Sequence, residues 1–228
     1  MIKHGIDQDA LITRFSQAGA RQGEALRKAV NEATLKALQG RELTLANIRQ
    51  VLGTVAKAAS AGAAGSTLPQ ADIEGLLAKA FAGMDAALAQ AVQAHRKALQ
   101  QLVDQGASLR ETQLKKAVAD IEKMEDSLFA AVRKAAAGAG PSLEGPWAGV
   151  LQSMQGKGTG TGALASATVE QLMDGAQQSL KDGRALGLRA SQAMLDGYSA
   201  LVSGVLIGLS DALQPAGAAA APGRSRKA

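Results

Sequence analysis

The side chains best suited to acid-base, nucleophilic or metal chemistry are scarce in this chain. It has no cysteine and only two histidines, His4 and His95. Thiol nucleophiles, thiolate metal sites and disulfides are therefore excluded. A zinc site or a catalytic triad would have to be completed by carboxylates alone. His4 stands at the N-terminal end, and His95 falls in series with Ile73 and Met84 beside Arg96 and Lys97, which reads as the edge of an apolar helix face. The run Gly156-Lys157-Gly158-Thr159-Gly160-Thr161-Gly162 has the composition of a phosphate cradle. It lacks a glycine five residues before the lysine, a Gly-x-Gly-x-x-Gly order and a preceding strand, so it reads as a flexible hinge. No catalytic, cofactor-binding or metal-binding residue is expected, and the chain is not expected to be an enzyme.

With chemistry set aside, the elements carry the information. The 228 residues are rich in Ala and Leu, with one Trp, one Tyr and three Phe. Ala and Leu favour helix, and the β-branched and aromatic residues that strands prefer are few, so an all-α protein is expected. The N-terminus lacks the apolar core of a signal peptide, and the uncharged stretch from Gly197 to Ser210 is shorter than the roughly twenty residues of a membrane span. A cytoplasmic protein without a transmembrane segment is the expectation.

Helical periodicity divides the chain into five parts. Residues 1–65 read as a helical hairpin: Asp7 or Asp9 caps a first helix that stops at Gly40, and Thr44 opens a second that ends in Ala61-Gly62-Ala63-Ala64-Gly65-Ser66. Residues 66–137 read as a second antiparallel hairpin, its first helix opened by Pro69 and its second by the capping-box spacing Ser108 to Glu111. Residues 138–163 read as a Gly/Pro-rich linker with a short helix around Trp147. Trp147 either plugs the gap between the hairpins or anchors at an interface. Residues 164–214 read as one long amphipathic helix. Residues 215–228, with Arg224, Arg226 and Lys227, read as a disordered basic tail.

The long C-terminal helix has an 11-residue register. One series is Val169, Leu180, Ser191, Val202, Leu213; a second is Leu172, Gly183, Met194, Val205; a third is Ala165, Ala176, Gly187, Tyr198, Leu209. At about 3.67 residues per turn such a stripe hardly precesses. Leu172, Leu180, Met194, Tyr198, Val202, Val205 and Leu209 are the expected surface or helix-packing stripe. The same register appears earlier as Leu77, Leu88, Leu99. Gly183 with Gly187 and Gly204 with Gly208 have the small-xxx-small spacing that lets helix backbones approach closely.

Ala-rich, cysteine-free amphipathic helices, the stretch from Ala176-Gln177-Gln178-Ser179-Leu180 to Ala190-Ser191-Gln192-Ala193-Met194, and the Pro/Ala tail with basic residues resemble the phasins, coat proteins of bacterial polyhydroxyalkanoate granules. The family has no motif that assigns roles residue by residue. The resemblance implies attachment to a granule surface, oligomerisation through coiled-coil-like contacts and contact with the polymer synthase. An amphipathic helix of small and aliphatic side chains can also lie in an apolar interface on physical grounds alone.

The leading expectation is thus a non-enzymatic protein on an apolar granule surface, forming a homo-oligomer. The first alternative is a helical-bundle protein that assembles with itself or with partner helices. A nucleoid-associated DNA-binding protein ranks last. Net charge is +5 and residues 1–65 carry nine Lys/Arg against five Asp/Glu, but residues 164–214 carry three against five. Nucleic acid is therefore an unlikely partner.

Overall fold

The computed structural model describes residues 2–17, 23–104, 112–181 and 197–213, and these are almost wholly helical, in agreement with the expected all-α class. A minimal antiparallel pairing of Ile2–Lys3 with Ile6–Asp7 precedes the helices, turned by His4 and Gly5 in left-handed backbone conformations. Asp7 caps α1 (Gln8–Gln17), its Oδ1 accepting from the Ala10 amide at 3.1 Å. Then follow α2 (Gly23–Gln39) and α3 (Leu45–Ala64), the latter capped by Thr44, whose Oγ1 accepts from Asn47 N at 3.2 Å. α4 (Gln70–Asp104) starts directly after Pro69. The expected fourth helix divides into α5 (Thr112–Glu122) and α6 (Met124–Ala137) at Lys123, whose carbonyl accepts from both the amide and the hydroxyl of Ser127. The Ser108–Glu111 capping box lies outside the described residues.

The largest departure from expectation is residues 138–163. Instead of a linker, α7 (Pro141–Lys157) is a full helix, and α8 (Gly160–Lys181) begins after only two intervening residues. Composition misleads here: Pro141 occupies the first helical turn, where proline fits. Leu143, Pro146, Trp147 and Val150 then fall at the i, i+3, i+4, i+7 spacing of one buried face. The last described helix, α9 (Tyr198–Leu213), begins after residues 182–196, which lie outside the described residues together with the tail 214–228. The continuity of a single helix over 164–214 therefore falls outside them as well.

α4 is the axis of the bundle. It packs most extensively on α2 and α8, then on α9 and α7, while α6 packs chiefly on α3 and α1 also packs on α3. These partnerships cross the two expected hairpins. One apolar cluster runs from Ile6 through Phe15, Val30, Ile48, Leu88, Ile121, Trp147 and Leu172 to Leu206, so the boundaries at 65, 137 and 163 are not breaks in packing. Leu77, Leu88 and Leu99, the register found in the sequence, are fully buried along α4. Phe81 of α4 and Phe129 of α6 meet with ring centroids 5.5 Å apart.

With so many alanines and few rings, the helices must lie close together to exclude water. At Gly83 a Cβ would stand 2.6 Å from the Arg27 carbonyl oxygen and 2.9 Å from Val30 Cβ, so only glycine allows α4 to touch α2 there. The outer seam of this pair carries Glu24 bridged to Lys79 and Arg27. Hydrogen bonds from Lys79 and then Arg27 pull the Glu24 carboxyl down to about 2, but so exposed a pair adds little stability. Gly204 on α9 faces open space. Gly83→Ala should destabilise the fold by about 1–3 kcal/mol through overpacking. Gly204→Ala should stabilise it by about 0.5–1 kcal/mol through helix propensity. Urea midpoints of the two variants, moving in opposite directions, check the assignment.

Candidate functional site

The described side chains of the predicted stripe are seated inward. Leu172 of α8 and Val202 of α9 are buried, and Tyr198, Val205 and Leu209 are partly buried against the same core, packed with α8 and α9 on α4. The surroundings of the Leu180 side chain, like Met194 altogether, lie outside the described residues, as do Gly183 and Gly187. Periodicity says nothing of what an apolar face meets: a stripe that fits a flat surface also fits the side of α4.

Two polar devices hold this C-terminal layer on the bundle. The first is the Gly156–Gly162 run, read as a hinge and found instead as a docked helix start. Gly158 takes a left-handed conformation (φ 76°) that turns the chain from α7 into α8. Thr159 caps α8, its Oγ1 accepting from Gly162 N at 2.9 Å and donating to Glu125 Oε1 at 2.6 Å. Asp85 of α4 accepts from the amides of Gly160 (2.8 Å) and Thr161 (2.9 Å), and its carbonyl accepts from Thr161 Oγ1 (3.0 Å). The N-terminus of α8 is thus an anion site already filled by the protein's own carboxylate. The glycines serve this docking: a Cβ on Gly162 would run into the Glu125 carboxylate, and one on Gly160 would press on Asp85 Oδ2 at 3.2 Å. Asp85→Ala removes two charge-assisted bonds to backbone amides and should cost about 2 kcal/mol. Hydrogen exchange should rise first at the amides of Gly160 and Thr161.

The second device joins α4 to α9. His95 is 5% exposed, in the core rather than at the edge of a face, and its Nδ1 lies 2.7 Å from the Tyr198 hydroxyl. Tyr198 keeps its proton, because burial and then the charge of Asp120 push its ionisation upward. Donation from Tyr198 O–H to Nδ1 satisfies the hydroxyl and puts the imidazole hydrogen on Nε2. Nε2 is buried and without a hydrogen-bond partner. Burial lowers the His95 pKa from 6.5 to about 4; the Leu43 carbonyl opposes that shift without reaching hydrogen-bond geometry. A lone histidine in an apolar helix carried no signal of this pairing, since its partner lies 103 residues away.

Trp147 resolves in favour of the plug. It is fully buried, and its Nε1 donates to Ser60 Oγ at 3.0 Å. Among the described residues no three His, Asp or Glu side chains converge on a metal-sized site, and no helix is long and apolar enough to cross a membrane.

What the structure leaves outward is a different strip from the predicted one. On α9, Ala200, Gly204, Ile207 and Gly208 fall at helical spacing on the exposed side, with Ile207 44% exposed and nothing within 4 Å of a Cβ at Gly204 or Gly208. Val202 and Leu206 are buried on the opposite side. No charged residue occurs from Gly197 to Ser210. A helix apolar all round is ordinarily buried on all sides, and this one is buried on one.

The model of a family described as of unknown function, DUF6781, matches residues 1–215. No curated protein and no solved structure shows a significant match.

Proposed function

The chain belongs to that family of unknown function, DUF6781, and from its geometry we propose that it is a non-enzymatic protein that attaches to an apolar surface, as a phasin does on a polyhydroxyalkanoate granule. The observation that supports this reading is α9: uncharged from Gly197 to Ser210, anchored inward by Val202 and Leu206, and apolar outward at Ile207. Gly204 and Gly208 keep the outer strip low, so it meets a flat surface over its length rather than at one projecting side chain. Attachment of this kind uses many weak contacts and needs no ligand-shaped pocket. The inward side chains of α9 and the His95–Tyr198 contact seat this helix on α4 with its other side toward the surface.

A second reading, self-assembly through the same strip, is favoured by the four-residue spacing of Gly204 and Gly208, which lets two copies of α9 approach closely. Fractionation of cells that hold storage granules separates the two. A tagged chain found with the granules, and released by deletion of residues 198–213, supports surface attachment. A chain absent from the granule fraction that scatters light as a dimer supports assembly.

A further inference from the structure

Helices α3 and α6 run side by side in the same direction. At one end Arg49 donates Nε to Ser127 Oγ at 3.1 Å, and at the other Ala61 and Ala64 share a depression with Gly138 and Ala139. The groove between them consists of two basins that meet at Lys57 and Ala135. The first, about 370 Å³, is flanked by Arg49, Lys57 and Lys134 and closed by His4 and Gln8 at the N-terminal turn. Among the described residues no carboxylate lines it, and Lys57 and Lys134 enter no ion pair. Its apolar lining is glycine and alanine, Gly53 with Ala130 and Ala131. The second basin is about 230 Å³, and among the described residues Lys57 is the only charged one that lines it. Its one other polar side chain, Ser60, is already engaged, donating to the Ala56 carbonyl and accepting from Trp147 Nε1.

We infer that this groove binds a small aliphatic carboxylate, with the carboxylate among Arg49, Lys57 and Lys134 and the alkyl chain along Ala61, Ala135 and Gly138. The chemistry follows from the asymmetry of the two basins. Three cations without a neutralising acid form a local positive field that attracts an anion. Beyond Lys57 and the engaged Ser60, the neighbouring basin offers alanine methyls and glycine backbone, a slot lined for an alkyl chain. From Lys57 to Ala64 it extends about 10 Å along α3. A wholly polar anion would leave this slot wet, and a neutral alkane would leave the cations unpaired. The groove lies on α3 and α6, so this site stands apart from α9 and from the surface attachment proposed for it.

The experiment is a titration of the full chain with decanoate below its micelle concentration, read by calorimetry and by the emission of Trp147. Trp147 is the only tryptophan and is bonded to Ser60 at the edge of the second basin. Saturable binding is expected, with butyrate about tenfold weaker or more because fewer methylenes are buried. Lys134→Glu and Ala61→Leu change exposed positions, one in each basin, and each should weaken decanoate about tenfold. Equal affinity in the wild type and both variants, equal affinity for butyrate and decanoate, or no response to decanoate would overturn the site. A response confined to phosphatidylglycerol vesicles would overturn it too, by placing the anion in a bilayer instead.

Discussion

Trp147→Ala should lower the free energy of unfolding by about 3–5 kcal/mol, the largest effect expected of any single substitution in this chain. The indole is fully buried where α7 packs on α4 and α3, and it is one of only five aromatic side chains. Trp147 is the largest fully buried side chain of the core, so its removal leaves the largest space to fill. Trp147→Phe separates volume from hydrogen bonding: it keeps most of the packing, loses the Nε1 bond to Ser60 Oγ, and should cost nearer 1 kcal/mol. Ser60 Oγ still donates to the Ala56 carbonyl in that variant, so no donor is orphaned. Chemical denaturation measures both. A Trp147→Ala chain within about 1 kcal/mol of wild type would show that α7 is not held through this side chain.

The second large effect is a pH dependence centred on His95. In the folded chain the imidazole stays neutral until about pH 4, whereas in the unfolded chain it takes a proton near 6.5. Between those values the unfolded state binds more protons, so stability rises with pH. It is complete above about 6.5, falls as the pH drops to about 4, and levels off below, a span of about 3 kcal/mol. The physical cause is specific. A protonated imidazole is costly in this buried site, and with Nδ1 protonated the roles across the 2.7 Å contact reverse: Nδ1–H donates to the Tyr198 oxygen, and the Tyr198 hydroxyl proton loses its acceptor. The charges around this link, Asp120 acting on Tyr198 and the adjacent Arg96 and Lys97 of α4, lie outside the direct hydrogen bond. His95→Gln keeps an acceptor without a titrating group. Its stability relative to wild type should improve as the pH falls from 6.5 to 4, and parallel curves for the two chains would contradict the assignment.

Several local signals in the sequence match the structure. Asp7 and Thr44 cap the helices that their spacing predicts, Pro69 precedes α4, and the Leu77-Leu88-Leu99 register marks the buried side of that helix. What the sequence concealed is tertiary. The run from Gly156 to Gly162 has the composition of a hinge, yet its order comes from Asp85 and Glu125, carboxylates on α4 and α6 that no local pattern connects to it. Residues 138–163 have the Pro and Gly content of a linker, yet the i, i+3, i+4, i+7 spacing of Leu143, Pro146, Trp147 and Val150 makes one buried helical face. The C-terminal stripe shows the limit of periodicity most clearly. Val202 and Tyr198 do lie on one face, but that face meets α4, and the outward strip is drawn from Ala200, Gly204, Ile207 and Gly208. Glycine-rich positions are invisible to a search for large apolar residues, although here their smallness is what leaves the strip flat.

The outward strip of α9 carries the functional reading, and adsorption to polymer tests it most directly. Purified wild-type chain should adsorb to poly(3-hydroxybutyrate) particles and sediment with them. Ile207→Glu places a charge at the middle of the strip, at a position 44% exposed and clear of the seat on α4, and should leave the melting temperature nearly unchanged while most of the protein stays in the supernatant. Equal adsorption of the two chains, with their helix content and melting temperatures matched, would contradict attachment through this face.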